Sequence, residues 1–291
     1  MTSMHIEIDL AAQTLHLFEE GRLIRQYTVS TAAAGIGEQQ GSMKTPRGRH
    51  TVRALIGRDL PQGSVLRGRR PTGEIHTPEL GAQHRERDWI LSRIIWLSGC
   101  QPGFNRLGPV DTMRRYIYIH GTPDDQPMGV PGSHGCIRMR NEDVIDLFAR
   151  IRPGIDVLLL EAPAARQRYY VAAVPVNSLA ALQAQLVAAQ DGLPASPVAS
   201  DDHPAWALWR GDGQLQALLR LQAGSGLQIW QHGAGEPTAW FALWPEAERA
   251  ALARGWREVR LLLPANQPAP AGFEMIRTLP DAVLWRHWLA A

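Results

Sequence analysis

A cysteine with a histidine and an arginine close by marks the segment of this chain that is best suited to chemistry. Cys136 stands in a glycine-containing turn just before a predicted helix start, with His134 two residues before it and Arg138 two residues after it. A helix N-terminus and nearby cations both favour the thiolate, which is the form of cysteine that attacks a carbonyl carbon. The segment therefore predicts a nucleophilic thiol that a substrate backbone can approach.

A nucleophilic thiol needs a base, and two histidines are candidates. His120 ends a predicted strand, where the carbonyl of Gly121 could hold one ring nitrogen while the other nitrogen faces the thiol. His134 is the alternative, but a residue two positions before another in a tight turn usually points away from it. We therefore expect His120 to be the base. Asp124 and Asp125 lie in a proline-rich loop, and we expect them to be solvated turn residues.

The second cysteine is expected to be structural. Cys100 follows a predicted buried strand, where a lone thiol most often acts as a small hydrophobic residue. Two cysteines provide no disulfide framework. The spacings of histidine and cysteine form no set of metal ligands, so the sequence predicts neither a metal nor a cofactor.

The same segment resembles the active-site signature of the L,D-transpeptidase catalytic family, also called the YkuD domain. The matching residues are His-Gly-Thr at 120–122, a Gly/Pro-rich loop, and Ser-His-Gly-Cys-Ile-Arg-Met-x-Asn at 133–141. A Gly-Ser-x-Lys-Thr-Pro-x-Gly loop at 41–48 also matches, and the resemblance covers residues 4 to about 161. It implies a β-sandwich-like domain whose cysteine attacks the peptide bond after the L-centre of diaminopimelate in a tetrapeptide stem. Terminal D-Ala then leaves, and an acyl-enzyme remains.

The resemblance also implies a role for each residue of the motif. Cys136 corresponds to the nucleophile, His120 to the base, and the carbonyl of Gly121 to the group that orients the base. The residues expected to line the substrate pocket are Ser133, His134, Gly135 and Arg138.

Two further roles concern charge around the nucleophile. Backbone N–H groups around Gly135 and Cys136 are the expected oxyanion donors. Arg138 could bind a substrate carboxylate, because a guanidinium forks well onto that group. The alternative is a structural ion pair between Arg138 and Glu142 or Asp143.

An acyl-enzyme of this kind has two fates, which the catalytic residues cannot distinguish. An amine from a second stem gives a crosslink by transpeptidation, whereas water gives a tripeptide by L,D-carboxypeptidase action. The opening residues, MTSMHIEIDL, alternate as a strand does and lack the apolar stretch of a secretory signal. We therefore expect a cytoplasmic L,D-carboxypeptidase that acts on recycled muropeptides, with a peptidoglycan L,D-transpeptidase as the alternative. An upstream start would instead make the protein periplasmic.

Composition excludes several other classes of protein. The chain has 291 residues, of which 45% are hydrophobic and 20% charged, so it is long enough for two domains and can bury a core. Thirty basic residues against 28 acidic ones are too balanced for a nucleic-acid-binding protein. No run of 18 apolar residues occurs, so no membrane partner is expected. The sequence leaves the oligomeric state open.

The elements that must position the candidate residues are predicted to be mainly strands. Apolar and polar residues alternate in two strands within residues 1–30, and further strands are predicted near 51–56, 94–97, 116–120 and 155–160. One helix interrupts them, with Asn141 as its N-cap and Pro153-Gly154 after its end. Its apolar stripe consists of Val144, Ile145, Leu147, Phe148 and Ile151.

A break in the pattern at residues 161–166 predicts a domain boundary. The catalytic domain is predicted at 1–164 and a smaller α/β accessory domain at 167–291, where eight of the ten tryptophans lie. The accessory domain is expected to have helices at 179–190 and 245–255, a linker at 192–204, a hairpin that turns at 211–213, and a strand at 259–263.

The order of these elements loosely resembles a GNAT-type N-acetyltransferase. A glycine turn at 231–235 stands where such a protein would bind acyl-CoA, although its spacing differs by one residue and Pro237 intrudes. The alternative is a degenerate or unrelated α/β domain that shapes or covers the catalytic cleft. For the whole chain, the alternative of another class is an acyl-CoA- or muropeptide-binding protein with a vestigial catalytic domain.

Overall fold

The chain forms two compact units in a computed structural model that describes residues 4–162, 169–188, 203–222, 226–231, 237–264, 273–280 and 282–289. The first unit comprises Met1–Gln101, Asn105–Arg168 and Gly211–Gly213, and the second comprises Pro102–Phe104, Tyr169–Arg210 and Gln214–Ala291. The predicted boundary at 161–166, the predicted linker at 192–204 and the glycine turn at 231–235 lie largely outside the described residues.

Within residues 4–162, the first unit is built on one sheet of ten strands. The sheet order is β3-β2-β1-β10-β4-β7-β5-β6, and β8 pairs with both β7 and β9. The β1–β10 and β8–β9 pairs are parallel, and the other pairs are antiparallel. The strands are β1 Met4–Asp9, β2 Thr14–Glu19, β3 Arg22–Thr28, β4 Gly48–Ile56, β5 Ser64–Arg67, β6 Arg70–Ile75, β7 Ile90–Gly99, β8 Tyr118–Gly121, β9 Ile137–Met139 and β10 Asp156–Leu160.

Alternation of apolar residues sets the register of the opening strands. Ile6 pairs with Leu17 and Ile8 pairs with Leu15, and all four side chains are fully buried. A shift of one residue would turn this set to the other face of the sheet, so burial fixes the pairing. Residues 4–28 form three strands, one more than predicted, because a turn at Glu20-Gly21 starts β3. The prediction of a mainly β catalytic domain is confirmed.

Two α-helices accompany this sheet in residues 4–162, α1 (Pro78–Gln83) and α2 (Asn141–Arg150). The sequence predicted α2 but not α1, which Thr77 caps by accepting a hydrogen bond from the N–H of Leu80. Val144, Leu147 and Phe148 are the buried apolar residues of α2, which packs against β7 and β8. The helix therefore supports the strand that carries His120.

The second unit is an α/β arrangement, as predicted. Its sheet has the order β11-β12-β13-β14-β15-β17-β16 within the described residues. The predicted hairpin is present as β12 and β13, whereas the second helix begins at Pro237 and includes Pro245 instead of starting there. The resemblance to an N-acetyltransferase stays a prediction. The elements are β11 Tyr169–Ala173, α3 Val176–Ala188, β12 Ala205–Arg210, β13 Leu215–Gln222, β14 Gly226–Gln231, α4 Pro237–Leu252, β15 Glu258–Pro264, β16 Glu274–Thr278 and β17 Ala282–Trp288.

None of the helices in the described residues combines the length and the apolar character that a membrane span requires.

A carboxylate on α2 ties the helix to β3 and makes the stability of the unit depend on pH. Arg150 lies 2.7 Å from Asp146, and the hydroxyl of Tyr27 donates to the same carboxylate at 2.7 Å. The hydrogen bonds from Arg150 and Tyr27 lower the pKa of Asp146 from its ordinary 3.8 to about 2. The resulting stabilisation is present above the ordinary pKa and is lost as the pH falls through the lower one.

We expect Asp146→Asn to lower the free energy of unfolding at neutral pH by about 1 kcal/mol, because the carboxylate is 39% exposed and solvent screens it. The difference from the parent protein should shrink as the pH falls from about 5 toward 2. Urea denaturation at several pH values measures it. Glu142→Gln is the matched control on the same helix, because its carboxylate forms no ion pair within the described residues, and it should lower the free energy of unfolding less than Asp146→Asn does. A difference that is constant with pH would contradict the assignment.

Candidate active site

Strand pairing brings the cysteine and the candidate base together. In the parallel pair of β8 and β9, Ile119 lies opposite Ile137, which places Cys136 level with Tyr118. Side chains two residues apart on a strand share a face, so Tyr118 and His120 lie on the same side of β8. The sheet thus brings the segments that carry Cys136 and His120 side by side, and their roles as nucleophile and base stay predictions.

The carbonyl of Gly121 fixes which nitrogen of His120 carries the proton. Nδ1 of His120 lies 2.8 Å from the Gly121 oxygen, which can only accept, so the hydrogen bond assigns the proton to Nδ1. The lone pair of Nε2 is then left to accept a proton. Burial lowers the pKa of His120 below 6.5, and Arg138 adds to the decrease. His120 is therefore neutral at pH 7, in the form that a general base requires.

The thiol of Cys136 is held by backbone groups of β8 and the residues before it. The N–H of Tyr118 donates to Sγ at 3.4 Å, and the thiol donates to the carbonyl of Tyr116 at 3.5 Å. Burial raises the pKa of Cys136 to about 12, although the Tyr118 N–H, Arg138 and Arg115 favour the thiolate. The resting thiol is therefore protonated, and it would have to lose its proton in order to act as a nucleophile.

The expectation that a helix N-terminus activates Cys136 is wrong. Strand β9 separates the thiol from α2, which begins only at Asn141. The turn around Cys136 contains Gly135 at a φ of +127°, where a Cβ would lie 3.2 Å from the side chain of Ile117. Glycine at this position allows the chain to pass close to Ile117 and then to pair with β8 as β9. The sequence pattern did not predict β9 and assigned its residues to a turn before the helix.

The backbone around Gly135 is locked by two hydroxyl groups. Ser133 Oγ donates to the carbonyl of Cys136 and accepts from the N–H of Gly135 at 3.2 Å. Thr45 Oγ1, from the loop at 41–48, donates to the carbonyl of Gly135 at 3.0 Å. Because Ser133 already accepts from the Gly135 N–H, this donor must be released before it can bind an oxyanion. The oxyanion role of Gly135 and Cys136 stays a prediction.

Asn141 stabilises the turn that follows the base, instead of capping α2 as predicted. Arg140 occupies the N-cap position, while the buried amide of Asn141 donates to the carbonyl of Thr122 at 2.9 Å and accepts from Ser92 Oγ at 2.6 Å. A Cβ on Gly121 would lie 2.4 Å from Asn141 Oδ1. The residue after His120 must therefore be glycine for this packing to form.

Asp88 is the site residue that the sequence did not reveal. Its carboxylate accepts from Arg138 at 2.6 Å and lies 3.1 Å from Nδ1 of His134. Arg138 is only 8% exposed and also donates to the carbonyl of Gly132 at 2.9 Å. The structural partner of Arg138 is thus Asp88 and not Glu142 or Asp143. No local pattern marks Asp88, since it lies 50 residues before Arg138 in the chain.

A cavity of about 800 Å³ lies beside these residues. His134, Arg138 and Asp88 contribute to its wall, as do residues of α1. Asp124 and Asp125 line it as well while remaining exposed, so these two residues border the site in addition to being solvated. Neither Cys136 nor His120 contributes to its wall, so the cavity borders the site through Asp88, His134 and Arg138.

The second cysteine lies apart from this arrangement. Cys100 follows β7, and the N–H of Cys100 donates to the carbonyl of Arg49 at 3.0 Å. Burial raises the pKa of the Cys100 thiol, and the structure gives it no histidine partner within the described residues. Among all the residues that the structure describes, no group of three or more His, Cys, Asp or Glu side chains is arranged to bind a metal ion.

The charge of Asp88 should set how easily Cys136 ionises. Asp88→Asn keeps an oxygen for the hydrogen bond to Arg138 but removes the negative charge that raises the pKa of Cys136. We expect the pH at which iodoacetamide labels Cys136 half-maximally to fall by about one unit. Mass spectrometry of the labelled peptide over the neutral to alkaline range measures this midpoint.

Asp124→Asn is the matched control, because Asp124 borders the same cavity and its carboxylate makes no ion pair in the described residues. Its midpoint should equal that of the parent protein. If the midpoint of Asp88→Asn were unchanged or higher, Asp88 would have no electrostatic influence on the thiol.

Comparison with known proteins places this geometry in a family. Residues 3–159 match the family model of the L,D-transpeptidase catalytic domain, YkuD. The probable L,D-transpeptidase YbiS of Escherichia coli K12 is 30% identical over 128 residues, which are 40% of this chain and 40% of that protein. The probable L,D-transpeptidase YcfS of the same strain is 40% identical over 45 residues, which are 16% of this chain and 14% of that protein. The chain thus matches less than half the length of these relatives.

Solved structures of L,D-transpeptidases are also similar to the chain. The enzyme from Xylanimonas cellulosilytica has 24% sequence identity and a TM-score of 0.32, with 54% of this chain and 60% of that chain covered. The enzyme from Mycobacterium smegmatis has 15% identity and a TM-score of 0.32, with 54% and 58% covered. Because the family model spans more than half of the residues, the chain belongs to the L,D-transpeptidase catalytic domain (YkuD) family.

Proposed function

We propose that the chain is a cysteine acyl-transfer enzyme that cleaves peptidoglycan stem peptides. Its substrate is the tetrapeptide stem that contains diaminopimelate, and the bond cleaved is the one that joins the L-centre of diaminopimelate to terminal D-Ala. The hydrogen bond between His120 Nδ1 and the Gly121 carbonyl carries the proposal, because it leaves Nε2 ready to accept the proton of Cys136. Membership of the YkuD family supports the choice of substrate.

The protonation states support attack with general-base assistance. Nε2 of His120 takes the thiol proton while Sγ of Cys136 attacks the scissile carbonyl carbon. The tetrahedral intermediate collapses as Nε2–H protonates the nitrogen of D-Ala, which leaves as a free amino acid. A thioester to Cys136 remains, and His120 is again neutral.

We further propose that water resolves the thioester, which makes the enzyme an L,D-carboxypeptidase. His120 would take a proton from the water as it attacks, and the thiol would regain that proton when the tripeptide leaves. Water needs no second binding site, and the partly exposed position of Cys136 supports its access. Attack by the amine of a second stem, which is L,D-transpeptidation, is the alternative.

The products distinguish these two fates. Purified protein would be incubated with a tetrapeptide muropeptide, and the products would be identified by mass spectrometry. Tripeptide and free D-Ala without dimers are the expected result. Dimers as the main product would contradict the carboxypeptidase assignment.

A cytoplasmic location and a role in peptidoglycan recycling stay predictions of the N-terminal sequence. A reporter that is active only in the periplasm, fused to the native N-terminus, tests them. Reporter activity would favour a periplasmic enzyme that acts on the wall.

The two cysteines and the two histidines should differ sharply in their effect on turnover. We expect Cys136→Ala to abolish it and His120→Ala to lower it by about 10²–10⁴-fold, because the neutral thiol loses its base. His134→Ala should cost less, since His134 only contacts Asp88 and shapes the cavity. Rates of D-Ala release measure these effects.

Cys100→Ala is the matched control and should stay within roughly tenfold of the parent rate. Full activity of Cys136→Ala would instead favour a vestigial catalytic domain.

The low pKa of His120 predicts how turnover responds to acid. A base works only when unprotonated, so kcat/KM should fall on the acid side with the pKa of free His120. Because burial lowers that pKa below 6.5, we expect half-maximal kcat/KM at a pH below 6.5. A pH profile of D-Ala release measures this limb. A midpoint above 6.5 would show that His120 is not the neutral buried base described above.

A further inference from the structure

An arginine stacked on two aromatic rings stands close to the nucleophile. The Cζ atom of Arg69, at the turn between β5 and β6, lies 4.9 Å from the ring centroid of Trp96 and 4.6 Å from that of Tyr116. Arg53 lies over the same Trp96 ring at 5.4 Å. We call Arg53, Arg69, Trp96 and Tyr116 the Trp96 cluster. Tyr116 is 51% exposed, so the cluster is open to a ligand.

The Trp96 cluster is connected to Cys136 through tyrosines. The guanidinium of Arg69 donates to the hydroxyl of Tyr118 at 3.0 Å, while the backbone N–H of Tyr118 donates to Sγ of Cys136. Tyr116 supplies both an exposed ring to the cluster and the carbonyl that accepts from the thiol. Cys136 and Trp96 also pack against the same buried group, which includes Tyr118. The positive charge of Arg69 is thus about one tyrosine side chain away from the nucleophile.

Most of the hydrogen-bonding capacity of Arg69 is unused. A guanidinium has five N–H donors in one plane, and stacking on aromatic rings occupies its faces and not its edges. The guanidinium interacts with the hydroxyl groups of Tyr118 and Tyr116, and neither Arg69 nor Arg53 forms an ion pair with a carboxylate in the described residues. An anion that approaches in the plane of Arg69 could accept hydrogen bonds from the remaining donors.

We propose that Arg69 binds the terminal carboxylate of the amino acid that leaves. This inference rests on the proposed function, in which a single D-Ala follows the scissile bond. Its carboxylate lies one residue beyond the carbonyl that Cys136 attacks, and a planar guanidinium is suited to bind that group with two hydrogen bonds. Such a contact selects the last residue of a stem over an internal one. Arg69 would therefore make the enzyme act at chain ends.

A binding measurement tests the proposal without turnover. The inactive Cys136→Ala protein would be titrated by calorimetry with the tetrapeptide stem and with the same stem carrying a C-terminal carboxamide. We expect the carboxylate form to bind at least about tenfold more tightly, because the amide loses the charged hydrogen bonds. Adding Arg69→Gln should remove this preference and leave the affinity for the amide unchanged.

Arg70→Gln in the same Cys136→Ala background is the matched control. Arg70 belongs to the same hairpin, is exposed, and makes no ion pair with a carboxylate in the described chain, so its variant changes the net charge equally. It should keep the preference for the carboxylate. Equal affinity for both peptides before Arg69 is changed, or a preference that survives Arg69→Gln, would overturn the proposal. So would an equal loss of affinity for both peptides, because that result would indicate a structural role for Arg69.

Turnover by the protein with Cys136 intact distinguishes a failure of the proposed cleavage reaction from a failure of the proposed role of Arg69. If it cleaves the acid and the amide at equal kcat/KM, the cleavage reaction stands and the role of Arg69 fails. If it cleaves neither peptide, the proposed reaction fails, and the calorimetric comparison still decides whether Arg69 recognises a terminal carboxylate.

Discussion

The hydrogen bond from His120 Nδ1 to the carbonyl of the next residue is the contact on which the site depends. It orients the imidazole and assigns its proton in one step, without an acidic partner. The surrounding structure serves to hold that carbonyl in place. Strand β8 is paired on both sides, by β7 and β9, and the amide of Asn141 packs against Gly121. The base is therefore positioned by backbone and by a buried amide, which carry no net charge.

The environment of the site keeps both the thiol of Cys136 and the imidazole of His120 uncharged at neutral pH. Burial raises the pKa of Cys136 and lowers that of His120, which opposes an ion pair between thiolate and imidazolium. Asp88 and Arg138 face the same region with opposite charges and neutralise one another at 2.6 Å. In the proposed reaction, charge would therefore develop only after the substrate binds, where fixed backbone dipoles can stabilise it.

The candidate site residues that the sequence indicated are close together along the chain. His120 and Gly121 lie on β8, Cys136 directly precedes the adjacent β9, and their types alone suggest a nucleophile and a base. Asp88 was missed because it lies before β7, whereas its partners His134 and Arg138 lie 46 and 50 residues further along the chain, and contacts over such distances leave no local pattern. Asn141 was assigned to the wrong role for the opposite reason: its type suits an N-cap, but a buried bond to Ser92 and Thr122 outweighs that local preference. The mainly β character followed from alternation, whereas the strand order needed the structure.

The parallel pairing of β1 with β10 has a consequence for how the protein is made. Ile6 lies opposite Val157 and Ile8 lies opposite Leu159. The pairing of β1 with β10 can therefore form only after β10 has been synthesised. During synthesis, the opening residues leave the ribosome long before their partner exists. Closing so long a loop is slow, because chain entropy is lost before the contacts that repay it can form. The β1–β10 pair at the centre of the sheet thus forms late. Until it forms, the unpaired edge of the apolar strand β1 must be protected from non-native contacts.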